Sequence, residues 1–281
     1  MTEHLLSRRG FLLAAGGLLA GGSALGADAF GIEPRRVELR RENVSVVGLP
    51  SAFDGFTVAH LSDLHIHAGL HPAVRRAMEL IAEAHPDLTV LTGDLSESTS
   101  QLSELGPVFR ATAGRAGTIV TMGNWEYAVG ITVAEMERTA SAAGAELLCN
   151  RSWRLRRGGA TLALAGLDDP RDGAPDPAAA LRDVASDATV MWAFHAPGYA
   201  DQLRSQSFPP PAFMLAGHTH GGQIRIPFVP PITPQGSGRF LEGWYHDTFA
   251  PLFVTRGVGT SGIRARFRCP AEVALFTLRR A

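Results

Sequence analysis

Apolar and polar residues alternate from Val37 to Val47 with the two-residue period of a strand. From Phe56 to Leu61 the pattern becomes a short, nearly continuous apolar run, as in a strand buried on both faces, and it stops at Ser62-Asp63-Leu64-His65. Pro72 to Ala84 carries a helical period that puts Val74, Met78, Ile81 and Ala82 on one face. Leu88 to Leu91 reads as another buried strand and runs into Thr92-Gly93-Asp94. A helix from about Leu102 to Ala113 precedes a strand over Thr118 to Thr121, which ends in Gly123-Asn124; a third helix is expected from about Val133 to Ala143. This alternation predicts a central sheet flanked by helices.

The second half repeats the habit. Val190 to Phe194 ends in His195, and Phe213 to Ala216 ends in Gly217-His218-Thr219-His220. Three more strands are expected over Leu252 to Thr255, Ala265 to Arg268 and Val273 to Leu278. No charge run, repeat or low-complexity stretch marks a linker, so residues 30–281 are read as one domain.

Composition narrows the function classes. The 281 residues carry a net charge of -1 and are 45% hydrophobic, which is globular and gives no basis for bulk nucleic-acid binding. All 26 basic residues are arginine, so every cation is permanent. Cys149 and Cys269 lie outside any metal-binding spacing; a bridge between them would suit an exported protein, but two free thiols are the plainer expectation.

The first 29 residues stand apart. Arg8-Arg9 precedes an apolar run from Phe11 to Leu25, diluted by four glycines, and Ala27-Asp28-Ala29 offers a small-x-small cleavage site. This resembles a twin-arginine (Tat) export signal, which implies a partner in the Tat machinery and a periplasmic, cell-wall-associated or secreted protein. The alternative is an uncleaved membrane anchor, although the run is short of the ~20 apolar residues that span a bilayer.

Five strand ends therefore carry Asp63-x-His65, Gly93-Asp94, Gly123-Asn124, His195 and Gly217-His218-x-His220. On an extended backbone residues i and i+2 face the same side, so each pair is expected to converge on one site. The set offers two carboxylates, one amide oxygen and four imidazoles, N/O donors that suit Mn, Fe or Zn and suffice for two ions. Each motif alone is weak, because an isolated buried histidine is usually structural; five at successive strand ends reverse that weighting.

The set resembles the calcineurin-like metallophosphoesterase superfamily, whose pattern is DxH, GD, GNH, H and GHxH. LSDLHIH, LTGDLSES, AFHAPG, AGHTHGGQIRIP and TRGVGTSGIRARFRCPAEVALF are similar to its exported bacterial phosphodiesterase-like branch. The resemblance implies a four-layer α/β/β/α sandwich of two mixed sheets flanked by helices. It implies one ion, divalent or trivalent, on Asp63, His65 and His220, a second on Asn124, His195 and His218, and Asp94 between them. Asp94, Asn124 and His195 would take part directly in catalysis. The expected activity is hydrolysis of a phosphodiester or related phosphoester, of cell-envelope origin if export holds, by attack of a metal-bridging hydroxide. A phosphomonoesterase on the same site, and a metal-stabilised module without activity, are the alternatives.

One position departs from the family. Where the pattern has Gly-Asn-His, this chain has Gly123-Asn124-Trp125. An indole donates one hydrogen bond and does not titrate near neutrality, so it cannot replace a general acid, whose loss costs about 10²–10⁴ in rate. Three readings stay open: a substrate whose leaving group needs no proton, a proton from another residue such as His67, or lost catalysis. The complete ligand set favours an active site. Trp125, Glu126, His67 and Arg225 are the candidate substrate contacts; the plainer alternatives are a solvated carboxylate for Glu126 and surface side chains for His67 and Arg225.

Overall fold

A computed structural model of the protein describes residues 26–205 and 207–281. The twin arginine and the apolar run of the signal-type segment lie outside the described residues. Among the described residues no helix is long and apolar enough to cross a membrane.

In chain order the elements are β1 (Val37–Val46), β2 (Thr57–Leu61), α1 (Pro72–Ala84), β3 (Leu88–Thr92), α2 (Leu102–Ala111), β4 (Gly117–Thr121), α3 (Asn124–Ala128), α4 (Val133–Ala142) and β5 (Glu146–Leu147). The second half contributes β6 (Arg151–Arg157), β7 (Ala160–Gly166), α5 (Pro177–Leu181), β8 (Thr189–Ala193), α6 (Tyr199–Gln202), β9 (Phe213–Ala216), β10 (Gly243–Tyr245), β11 (Leu252–Val254) and β12 (Ala271–Arg280). They form two six-stranded sheets, ordered β1-β12-β2-β3-β4-β5 and β10-β11-β9-β8-β7-β6. Both are mixed: β2, β3, β4 and β5 run parallel, while β12 is antiparallel to β2. In the other sheet β7, β8, β9 and β11 are parallel, and β6 and β10 are antiparallel edges.

Three apolar clusters separate four layers. Val58, Val90 and Phe276 of the first sheet meet Leu164, Met191 and Phe253 of the second between the sheets. The opposite face of the first sheet, through Ala59, Leu91 and Val120, packs on α1, α2 and α4. Trp192, Met214 and Val254 pack with Ala180 of α5 and Ala200 of α6 on the outer face of the second. Strands covered on both faces need continuous apolar runs, which is why β2, β3 and β8 do not alternate. The expected α/β/β/α sandwich is therefore the fold observed.

Three local expectations change. Helix α1 buries Ala73, Val74, Ala77, Leu80 and Ile81, whereas Ala82 is exposed. The small side chains at Ala73 and Ala77 let the helix lie close to the sheet, so its inner face turns toward them. Residues 265–268 form no strand beyond a single bridge from Ile224 to Phe267. Instead the fully buried Arg266 donates to the carbonyls of Arg256, Gly257, Gly259 and Cys269, which holds an irregular loop together. The hairpin β6–β7 is additional; it turns at Gly158-Gly159, both with positive φ (57° and 81°), as a two-residue hairpin requires.

Candidate metal centre

The polar ends of β2, β3, β4, β8 and β9 meet at the carboxyl edges of the two sheets, where open α/β sheets bind ligands. The residues lie past the strands, in loops whose backbone is not extended. Asp63, His65, Asp94, His218 and His220 all have left-handed φ, between 48° and 71°. The pairs Asp63/His65 and His218/His220 thus reach one site through tight loop turns and not through strand alternation. Non-glycine residues in this region are uncommon and cost about 1–3 kcal/mol each, so neighbouring contacts must hold them. Asp63 N–H donates to the Gly93 carbonyl at 3.0 Å, His65 N–H to the Asp94 carbonyl at 3.0 Å, and Gly217 N–H to the His195 carbonyl at 3.0 Å.

Close approach requires glycine at several points of these loops, Gly93 and Gly217 among them. A Cβ on Gly93 would lie 2.6 Å from the Gly123 backbone, so the Gly-Asp and Gly-Asn loops touch main chain to main chain. A Cβ on Gly217 would lie 2.5 Å from the Asp63 carboxylate and collide with Ser62 Oγ.

The buried side chains fall into two adjoining groups, Asp63/His65/His220 and Asp94/His195/His218, in each of which one ligand atom per residue lies within 4.8 Å of the others. His65 Nε2 is 3.0 Å from His220 Nε2, and His220 Nε2 is 3.4 Å from Asp63 Oδ1. His195 Nε2 is 3.1 Å from both Asp94 Oδ2 and His218 Nδ1. His65 Nε2 reaches within 3.7 Å of the same Asp94 oxygen, and His195 Nε2 within 4.0 Å of Asp63, so the groups share one cleft with Asp94 facing both. Asn124, at the start of α3, is buried and its Oδ1 has no hydrogen-bond partner. An orphaned buried oxygen beside this donor set fits a metal ligand. Six of the seven expected ligands thus collect at one cleft, Asn124 follows Gly123 in the loop that touches Asp94, and the chemistry of the set fits two ions.

Outer contacts fix which atom each ligand presents. His195 Nδ1 lies 2.7 Å from the Thr92 carbonyl and His218 Nε2 lies 2.9 Å from the Gln235 carbonyl. A carbonyl only accepts, so both of these ring nitrogens carry protons, and His195 Nε2 and His218 Nδ1 are the atoms turned to the cleft. The carboxylates are held from behind: Asp63 accepts the His218 N–H, and Asp94 Oδ1 accepts the Trp125 N–H at 2.8 Å. Burial, then His195 beside it, draws His218 down to about 4, so it is neutral. Burial and His65 likewise lower His220 well below the usual range. Burial opposes ionisation of Asp94, yet His195 and His65 hold its carboxyl below the ordinary value.

Glu97 is a site residue that the motifs did not reveal. Its Oε1 lies 3.1 Å from His65 Nδ1 and 3.0 Å from Arg264 Nη1. Burial would raise its carboxyl, but contact with His65 and Arg264 brings it to about 2. The approach is of ion-pair range without the alignment of a hydrogen bond, so Glu97 acts on His65 through its charge, which raises the basicity of the ring. An acidic residue three places after Asp94 has no distinctive spacing, so nothing in the sequence set it apart.

The four expected substrate contacts have different fates. The half-buried Trp125 stands edge-on to His65, centroids 5.6 Å apart at 88°. Glu126 is neither solvated nor turned toward a substrate. It is fully buried, and its oxygens accept the N–H groups of Asp94, Leu95, Ser96 and Gly123. Burial and nearby Asp94 push its carboxyl up to about 7, while those N–H groups oppose the shift. Arg225 does not point at the cleft as a free cation either: it is paired with Glu242 at 2.7 Å and donates to the Gly221 carbonyl. His67 is exposed at the rim, its Nδ1 3.1 Å from the His65 carbonyl. The cysteines are both free; Cys269 is buried with Sγ 3.3 Å from the His220 carbonyl.

The comparisons agree with this geometry. The profile of the Calcineurin-like phosphoesterase family matches residues 56–222, which include every expected ligand. The chain is 29% identical over 286 residues to the uncharacterized metallophosphoesterase YkuE of Bacillus subtilis (strain 168), covering 98% of each chain. It is 30% identical over 230 residues to the phosphodiesterase YaeI of Escherichia coli (strain K12), covering 79% of this chain and 82% of that one. A transmembrane protein with a metallophosphoesterase domain from Danio rerio is 28% identical over 252 residues, covering 85% of this chain and 56% of that one. With two buried His/Asp clusters in a shared cleft and a family match over more than half its length, the chain belongs to the calcineurin-like phosphoesterases and is a metal-dependent phosphoesterase.

Proposed function

We propose that this protein hydrolyses phosphodiesters with leaving groups that need little protonation, and that it does so outside the cytoplasm. The observation that carries the reading is the complete ligand set closed by Trp125 at the position of the family's histidine. Two divalent ions held by these residues would supply a water of lowered pKa and a positive clamp for the phosphoryl oxygens. The chain itself does the rest. Thr92 and Gln235 lock the tautomers of His195 and His218, Asp63 and Asp94 supply the negative charge that retains cations, and Asn124 adds a neutral oxygen.

Trp125 covers one side of the cleft against His65, excludes water there and can donate one N–H, but it has no proton to give a departing alkoxide. Arg225 and Arg264, near the ligand loops, are paired with Glu242 and Glu97. With neither of these two guanidiniums free for the additional charge of a monoester dianion, and Arg171 beside Gly236 drawn to Asp172 at 3.6 Å, the singly charged diester is the better fit. The name of YaeI, a phosphodiesterase, points the same way.

With Mn²⁺ present, bis(p-nitrophenyl) phosphate should be hydrolysed with kcat/KM at least about tenfold above p-nitrophenyl phosphate. A monoester preference would reassign the site to phosphomonoesters. Export is tested separately: Arg8→Lys with Arg9→Lys should keep the protein in the cytoplasm, and unchanged export would remove the Tat reading.

A further inference from the structure

The loop that follows the second metal-ligand pair is apolar and points outward. From Ile226 to Gly238 it contains no charged residue, and four of its residues are proline. Ile232 is 87% exposed, Phe228 is fully exposed, and Ile226 and Val229 are each more than half exposed. Soluble surfaces rarely present such a cluster unless something binds it. Proline fixes φ, so the loop holds these side chains outward without collapsing onto the protein.

Both ends of the loop are tied to the metal centre. It begins six residues after His220, with Pro231 against Gly222, where a Cβ would lie 2.5 Å from the proline ring. It returns at Gln235, whose carbonyl lies 2.9 Å from His218 Nε2. Between the loop and Ile263 lies a groove of about 650 Å³, lined by Ile224, Ile226, Val229, Ile232 and Ile263 and reaching His220. This volume is in the class of small-ligand sites (~300–1,000 Å³).

We propose that the groove receives the alkyl or acyl chain of an amphiphilic phosphoester, whose phosphate lies at the metal centre. This deepens the phosphodiesterase reading and rests on it. Continuity with His220 decides the occupant. A second copy of the protein, or the chain's own apolar run from Phe11 to Leu25, would gain nothing from a groove that ends at the buried His220. A substrate chain enters and leaves with each turnover. Neutral apolar lining beside a cationic centre matches a molecule with one charged phosphate and one apolar tail.

The test uses a series of alkyl p-nitrophenyl phosphodiesters, from methyl to octyl, kept below their aggregation concentrations, with the full chain and Mn²⁺. Water adds at phosphorus, the bond to the aryl oxygen breaks and p-nitrophenolate leaves, so only the tail varies. A fully buried methylene is worth about fourfold, so even partial burial should raise kcat/KM by more than about tenfold from methyl to octyl. In the double variant Ile226→Ser/Ile232→Ser the octyl-to-methyl ratio should fall toward one. Calorimetry gives a second readout: dodecylphosphonate should bind the protein at least about tenfold more tightly than methylphosphonate, and the double variant should lose the difference.

Turnover of all esters with a flat ratio would overturn the groove assignment and leave the phosphodiesterase reading standing. No turnover of any ester, with the phosphonate difference intact, would sink the phosphodiesterase reading instead. A flat ratio with a dimer that the double variant dissociates would give the groove to a second copy. A flat ratio that becomes steep in Leu12→Ser/Leu13→Ser would give it to the chain's own apolar segment. Either result overturns the proposal.

Discussion

The indole of Trp125 stands edge-on to the imidazole of His65, with ring centroids 5.6 Å apart at 88°. A residue that cannot titrate therefore flanks a ligand of the metal centre at the family's acid position. Trp125→His should restore a proton donor there. Turnover of alkyl esters with poor leaving groups should rise by about ten- to a hundredfold, while aryl esters change by less than about threefold. A leaving-group series on both proteins checks this. A uniform fall on all esters would mean that the indole acts by packing His65.

Glu126 fastens two ligand loops together from beneath. Its carboxylate accepts Asp94 N–H at 3.0 Å, Leu95 N–H at 2.7 Å and Gly123 N–H at 2.8 Å in the same buried pocket. Glu126→Ala leaves these donors without partners, at about 1–3 kcal/mol for each buried group. The variant should lose at least about 3 kcal/mol in denaturant unfolding, with the midpoint shifted and the slope kept. Stability within about 0.5 kcal/mol of the wild type would return Glu126 to the solvated role that its sequence position suggested.

Glu97 should tune metal binding and not turnover as such. Glu97→Gln removes the charge behind His65 and weakens the brace to Arg264. Competition with a chelator should show one of two ions held about 10–100-fold more weakly and the other unchanged. If both ions keep their affinity, the contact is only an ion pair at the rim.

The layout of the fold was legible because buried parallel strands announce themselves as short apolar runs. Residues 57–61, 88–92 and 213–216 were readable in this way, as was the amphipathic Pro72–Ala84 helix. The edge strands were not. Residues 151–157 carry four arginines on a half-exposed hairpin, so their pattern reads as surface, and only Gly158-Gly159 marked the turn. The ligand set was legible because donors recur at strand ends, but their convergence comes from left-handed backbone at Asp63, His65, His218 and His220, which no periodicity predicts. The roles of Glu97, Glu126 and Arg225 depend on partners distant in sequence or on backbone N–H groups. Charge and spacing alone made Glu126 and Arg225 look like substrate contacts.

Asp94 faces both His/Asp groups, and the proposed phosphodiesterase activity depends on its charge. The most direct measurement is hydrolysis of bis(p-nitrophenyl) phosphate by the Mn²⁺-loaded full chain beside Asp94→Asn. The substitution keeps the shape and an acceptor for the Trp125 N–H but removes the charge. Metal-dependent turnover that falls by at least about 10³-fold in Asp94→Asn is the predicted result. Bound metal with no turnover in the wild type, or equal turnover in both proteins, would contradict it.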